Sequence, residues 1–217
     1  MSQAQPYITI AADTTYEVTI KKSRFICSLA RVTNEAAAQA FISQITKEHR
    51  KATHNCFAYL LGDHDQIQRE SDNGEPSGTA GVPILEALKL EHLHDVCAVV
   101  TRYFGGIKLG AGGLIRAYSN TTTGAIHQAG LIKRIKQTTL DITVPYPLYD
   151  QVNYYLNQAA LTQTAPDYAT AVTVHVFVDE DQVEAQIAAL TTRFNNQLTI
   201  QKGTPRFHEV PLTNDEN

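Results

Sequence analysis

Two glycine-rich segments hold most of the side chains that could do chemistry. Residues Ser71 to Gly81 read SDNGEPSGTAG and bring Asp72, Glu75, Ser77 and Thr79 together on small-residue backbone. Carboxylates and hydroxyls held this closely can move a proton or hold a small phosphorylated or nucleotide ligand, with Glu75 or His54 as acid/base and Thr79 as an anion-holding hydroxyl. Ser77 lies in Gly74-Glu75-Pro76-Ser77-Gly78, one residue off the elbow that exposes a nucleophilic serine. No second carboxylate has a spacing that makes it a base partner, so no catalytic residue is assigned. The same residues also read as self-capping turns ahead of a helix at Pro83.

The second segment runs from Gly105 to Gly113, with five glycines in nine residues. It follows a strand pattern and precedes a helix pattern, where backbone N–H groups can hold an anion. Lys108 is followed by Leu109, which excludes a Walker A loop, and Gly110-Ala111-Gly112-Gly113 does not complete a dinucleotide fingerprint. A turn that merely lets helix and sheet approach closely is the competing reading. Around the segment lie Lys21, Lys22 and Arg24 at a hairpin turn, Arg50 and Lys51 before a strand, and Arg102 and Arg116 on either side, with Tyr103 and Phe104 beside them. Cations and aromatics on adaptable backbone suit nucleic-acid phosphates and stacked bases. The expected contact set is Lys22, Arg24, Arg102, Lys108, Gly110, Gly112, Gly113 and Arg116. The alternative small-ligand set is His54, Asp72, Glu75, Ser77 and Thr79.

Zinc ligation by His54 with Cys56, or by His92 and His94 with Cys97, fits the donor types. However, Cys97 opens an apolar strand and the histidine pair ends a helix, where a cation suits the dipole without any metal. No metal and no cofactor are expected.

The elements that must position these residues can be read in order. Tyr16 to Ile20 and Phe25 to Val32 form a hairpin about Lys22-Ser23-Arg24. Thr33 or Asn34 caps a helix to about Glu48 with Ala37, Phe41 and Ile45 as its apolar stripe. Strands follow at Thr53 to Leu61 and Gln66 to Glu70, joined by turn chemistry at residues 62–65. A helix from Pro83 to about Leu93, a buried strand from Val96 to Tyr103, and a helix from Leu114 to Ala129 ended by Gly130 complete the first part. From Thr138 the order is strand, helix, strand, strand, helix, strand, which suits a ferredoxin-like sandwich with both helices on one face of an antiparallel sheet. The fold class is therefore α+β in two domains, 1–136 and 137–217, and the PLTNDEN tail is expected to fray.

Composition limits the partners. The chain has 217 residues with a formal net charge of −4. That average conceals two unlike parts: 15 basic against 12 acidic residues up to position 136, or +3, and 3 against 10 thereafter, or −7. Any phosphate contact belongs to the first domain. No apolar run approaches the roughly 20 residues of a membrane helix, so no membrane partner is expected. No secretory leader is readable, and three cysteines without a CxxC pair fit reduced thiols, so the expected location is cytoplasmic.

Four stretches together carry a resemblance: KSRFI (Lys22 to Ile26), ATHNCFAYLLG (Ala52 to Gly62), SDNGEPSGTAGVPIL (Ser71 to Leu85) and VVTRYFGGIKLGAGGLIRAYS (Val99 to Ser119). The chain resembles the IMPACT/YigZ family, whose long spaced pattern between Gly81 and Gly110 it meets at every specified position. The resemblance implies a first domain with the fold of the second domain of a small-subunit ribosomal protein. It implies a last domain similar to that of the ribosomal translocase. Eukaryotic relatives act in translational control by interfering with activation of a starvation-sensing kinase, and bacterial relatives are suspected nucleic-acid or ribosome binders. RNA or the ribosome, or a protein partner in translational control, is thus the implied partner. Eukaryotic members carry a further partner-binding domain ahead of this core, whereas 21 residues precede KSRFI here, so kinase regulation is not carried over with the motif. Asn73 stands where the family pattern leads one to expect Asp, which weakens any paired-carboxylate metal site.

Overall fold

The computed structural model of the chain describes residues 6–62 and 64–212. Asp63 of the expected turn and residues 213–217 of the expected frayed tail lie outside the described residues. Pro211 of that tail ends a strand, and the Leu212 N–H donates to the Leu131 carbonyl at 3.0 Å. The chain divides into two units. One comprises Tyr7–Arg134 and takes in residues 210–212, and the other comprises Ile135–Glu209.

The first unit contains β1 (Tyr7–Ile10), β2 (Thr14–Ile20), β3 (Ser23–Arg31), α1 (Glu35–Glu48), β4 (His54–Leu61), β5 (Ile67–Ser71), α2 (Gly81–Leu90), β6 (Val96–Tyr103), α3 (Ala111–Ala129) and the start of β7 (Leu131–Val144). Strands β2-β3-β6-β4-β5 form one antiparallel sheet in that order. The central strand β6 is apolar without alternation because both its faces are covered. Val96, Ala98 and Val100 join the core with α2 and α3, while Cys97 and Val99 join the core with α1. Asn34 caps α1 by accepting from the Ala37 N–H at 2.9 Å. The buried stripe of α1 is Ala38, Ile42 and Ile45, with Ala37 and Phe41 at its margin. A strict four-residue repeat drifts off one face of a helix with 3.6 residues per turn, so the stripe lies beside the expected one.

Helix α2 starts at Gly81, not Pro83, and ends at Leu90, not about Leu93, and two further boundaries differ from expectation. Helix α3 starts at Ala111, not Leu114: Gly110 at φ 73° occupies the N-cap, and the Leu114 N–H donates to its carbonyl at 2.9 Å. Gly112 and Gly113 are therefore helical. Strand β7 starts at Leu131, not Thr138, because residues 131–134 pair antiparallel with β1.

The second unit continues from β7 through a 3-10 turn (Tyr146–Leu148), α4 (Tyr149–Gln158), β8 (Thr162–Gln163), β9 (Asp167–Tyr168), β10 (Val172–Asp179), α5 (Val183–Arg193) and β11 (Thr199–Pro211). Its strands are ordered β11-β7-β10-β8, with β9 also on β10. The βαββαβ sandwich read from the sequence is present, with its second strand split where Pro166 has no N–H for the ladder. Leu140, Ile142 and Val144 alternate inward with Val172, Val174, Val176 and Val178 against Val152, Leu156, Val183 and Leu190. On the other face His175 lies 2.6 Å from Asp141 and 3.1 Å from Asp167. Hydrogen bonding to Asp141 chiefly holds the imidazole above its ordinary pKa, with Asp167 adding to it. Among the described residues no helix is long and apolar enough to cross a membrane.

Candidate functional site

At one end of the five-stranded sheet, register brings the chemistry-bearing residues together. His54 pairs with Arg102 across β4 and β6, and Phe25 pairs with Arg102 across β3 and β6. Period-two alternation puts Arg102 on the same face as Val96, Ala98 and Val100, under α3. Its side chain is therefore interior, with only 5% of the residue exposed. A buried guanidinium requires a counter-charge, and the first glycine-rich segment supplies it. Glu75, 8% exposed, accepts from Arg102 Nη1 at 2.6 Å and from the Tyr118 hydroxyl at 2.9 Å, both on Oε1. Arg102 Nη2 reaches Ser23 Oγ at 3.4 Å, and Nε has no hydrogen-bond partner. The guanidinium lies over the rings of Phe25 and Phe104, at 5.3 and 5.4 Å from their centroids, where cation–π attraction offsets part of the cost of the unpaired Nε.

This corrects the expected contact set, since Arg102 is not a surface cation. Arg24 is exposed, but Glu17 takes its charge in a two-point pair at 2.6 and 3.0 Å, and it lies over the Tyr103 ring.

The rest of the SDNGEPSGTAG segment is also committed to its own backbone. Asp72 Oδ2 accepts from the Gly78 N–H at 2.7 Å, and Oδ1 accepts from Ala80 and Gly81 at 2.9 and 2.8 Å. The side chain thus does the work of an N-cap for α2, whose own N-cap residue, Ala80, makes no side-chain bond. Burial raises the Asp72 pKa, but these N–H groups outweigh it and hold the carboxyl below its usual range. Thr79 Oγ1 donates to the Pro76 carbonyl at 2.6 Å, and Ser77 is exposed. Asn73 and Gly74 turn the backbone with φ 41° and 86°. The Asn73 carbonyl accepts from His54 Nδ1 at 2.9 Å, because a carbonyl cannot donate, and this leaves Nε2 facing Glu75 Oε2 at 3.8 Å. The Cys56 thiol sits 2.9 Å from the Asp72 carbonyl, and burial pushes it up to about 12, so it stays neutral. Burial likewise raises the Tyr118 phenol.

The candidate zinc donors are engaged otherwise: His54 Nδ1 and the Cys56 thiol face the Asn73 and Asp72 carbonyls. His94 bonds Asp65 at 2.8 Å, and Cys97 lies in the core on the α1 side of the sheet. Among the described residues no three of His, Cys, Asp and Glu are gathered as a metal would need.

The second glycine-rich segment is built in the opposite sense. Gly105 packs against the β2–β3 turn so tightly that a Cβ would fall 2.0 Å from the Lys22 carbonyl, and its N–H donates to Ser23 Oγ at 3.2 Å. Beyond it Lys108 and Gly110 are exposed, as are Gly112 and Arg116, while Gly113 is half-buried. Lys21, Leu109, Gly113, Arg116 and Asn120 line an open cleft of about 280 Å³. Lys21, Lys22, Lys108 and Arg116 are all exposed and have no ion-pair partner among the described residues. Phe104, Ile107 and Ile115 are exposed on the same stretch. Residue types alone did not single out Tyr118 or Ser23. A tyrosine on the buried stripe of α3, next to Ala117 and one turn from Leu114, signals a required interior hydrogen-bond partner.

The sequence matches the Impact N-terminal domain over residues 21–126 and a domain of unknown function, DUF1949, over residues 142–197. It is 43% identical over 203 residues to the IMPACT family member YvyE of Bacillus subtilis, covering 94% of each chain. It is 34% identical over 193 residues to the IMPACT family member YigZ of Escherichia coli, covering 88% of this chain and 94% of that one. A solved structure described as a hypothetical protein aligns with a TM-score of 0.61 at 33% identity, covering 92% of this chain and 98% of that one.

Proposed function

The chain belongs to the IMPACT family, and from that premise we propose that it is a cytoplasmic, translation-associated protein whose first unit binds RNA or the ribosome through the surface around Gly105–Gly113. One observation carries the proposal. Among the described residues the exposed cations at this surface, Lys21, Lys22, Lys108 and Arg116, stand without carboxylate partners, whereas Arg24, Arg69, Lys89 and Arg102 in the same unit are paired with acids. Unpaired cations beside an open cleft and exposed apolar side chains are what a phosphate backbone with accessible bases would engage. The first turn of α3 contains no acidic residue to compete for its N–H groups.

The proposal predicts binding to ribosomes or single-stranded RNA that weakens as salt rises, measured by co-sedimentation and filter binding. Lys108→Ala with Arg116→Ala should weaken it. Arg102→Ala is no test, because it strands Glu75 in the core. No binding at low salt, or full binding by the double variant, would refute the proposal.

A further inference from the structure

Resting on that reading, we propose that Phe104 is a stacking platform for an unpaired RNA base, so that the first unit binds single-stranded in preference to duplex RNA. Two aromatic residues end β6, and their surroundings differ. Tyr103 is covered: Arg24 lies over its ring at 5.3 Å, and His49 packs edge-on and bonds its hydroxyl at 3.0 Å. The Phe104 ring meets the Arg102 guanidinium at 5.4 Å, and 47% of the residue is exposed.

The ring is also held in place. The Phe104 N–H donates to Thr53 Oγ1 at 3.1 Å, and the next N–H, of Gly105, donates to the buried Ser23 hydroxyl. Glu75 fixes Arg102, and Arg102 fixes the ring, so Arg102 and Glu75 act here as positioning residues. An aromatic face pre-set on a rigid base loses little freedom on binding. The close approach of Gly105 to Lys22 brings Lys22 beside the platform, and Lys108 follows it in the loop, so phosphates flanking a stacked base would meet cations. A base within a duplex has both faces occupied by its neighbours and cannot use the ring.

The chain contains no tryptophan, so Phe104→Trp introduces a single indole at the platform. The probe is an oligoadenylate of about twelve nucleotides, within the usual footprint of a single-strand site, offered alone and annealed to its complement. Single-stranded RNA should quench the indole and duplex should not. In filter binding, Phe104→Ala and Phe104→Leu should each lose about ten-fold in single-strand affinity, the usual scale for one stacked base, with the salt dependence unchanged. Leu keeps the apolar bulk, so its loss isolates the aromatic face. Bound oligoadenylate without quenching, or wild-type affinity in Phe104→Leu, overturns the platform. Ribosome binding without oligoadenylate binding also overturns it and leaves the translation reading standing; absence of both removes the two together.

Discussion

The two glycine-rich segments have opposite fates. In residues 71–81 every carboxylate is turned inward: Asp72 holds three backbone N–H groups, and Glu75 holds Arg102 and Tyr118. In residues 105–113 the charges turn outward, with Lys108 exposed and Arg116 on the cleft beyond. The difference follows from what each loop joins. The first sends Glu75 into the interior beside Arg102 and Tyr118, where buried polar groups must satisfy one another. The second is pinned at Gly105 and rests Leu109 on the core, while Gly106, Ile107, Lys108 and Gly110 are exposed. Glycine-rich polar sequence is thus no guide to a site until the partners of its side chains are known.

The sharpest way to break this contrast is at Glu75. Glu75→Gln leaves Arg102 charged and uncompensated in the core and should destabilise the first unit by about 3–5 kcal/mol. Hydrogen exchange of β6 in the whole protein would measure it. Combining it with Arg102→Met should cost less than the sum of the single changes, since the stranded charge is then removed. A change near zero in Glu75→Gln would show that the first loop is not closed as described.

Asp72 gives the next effect. Asp72→Ala removes the acceptor for Gly78, Ala80 and Gly81 and should cost about 1–2 kcal/mol, as helix caps do. The pH dependence has a definite sign. The folded carboxyl titrates below its unfolded value, so its contribution is complete above about pH 4 and is lost as pH falls through the folded value. Acid titration of stability should therefore flatten in Asp72→Asn relative to the unaltered protein.

Much of the fold was legible because its signals are local. Asn34 ahead of an apolar stripe, the continuous run of Val96 to Tyr103, and the strict alternation of β10 each announce one element. Arg102 was not legible as a core residue. An arginine closing an apolar strand looks the same whether it leaves the sheet or turns under a helix, and the deciding partner, Glu75, lies 27 positions away. The reach of Asp72 to Ala80 and Gly81 is hidden in the same way, since capping spacing is normally two or three residues. The early start of β7 was missed because its pairing partner is the distant β1.

A smaller effect tests the outward loop itself. Gly106 has φ 84°, and a Cβ there would meet nothing within 4 Å. Gly106→Ala should therefore cost only the backbone strain, about 1 kcal/mol, with no repacking. Thermal unfolding would register it. A much larger loss would mean that the second segment is packed as tightly as the first.

The smallest effect on stability should come from Lys108→Ala with Arg116→Ala. Both side chains are exposed and unpaired among the described residues, so their removal should leave stability within about 0.5 kcal/mol. Binding should behave oppositely: each lost phosphate contact on a single strand lowers the slope of log affinity against log salt by about 0.7. Glu75→Gln at a temperature where it remains folded should keep that slope, because it removes no surface cation. The two variants therefore separate along different axes, one losing stability with its salt slope intact and the other losing slope with its stability intact. A Lys108/Arg116 variant that instead unfolds early would place these cations in the structural role that Asp72 and Glu75 fill, and would erase the distinction between the two segments.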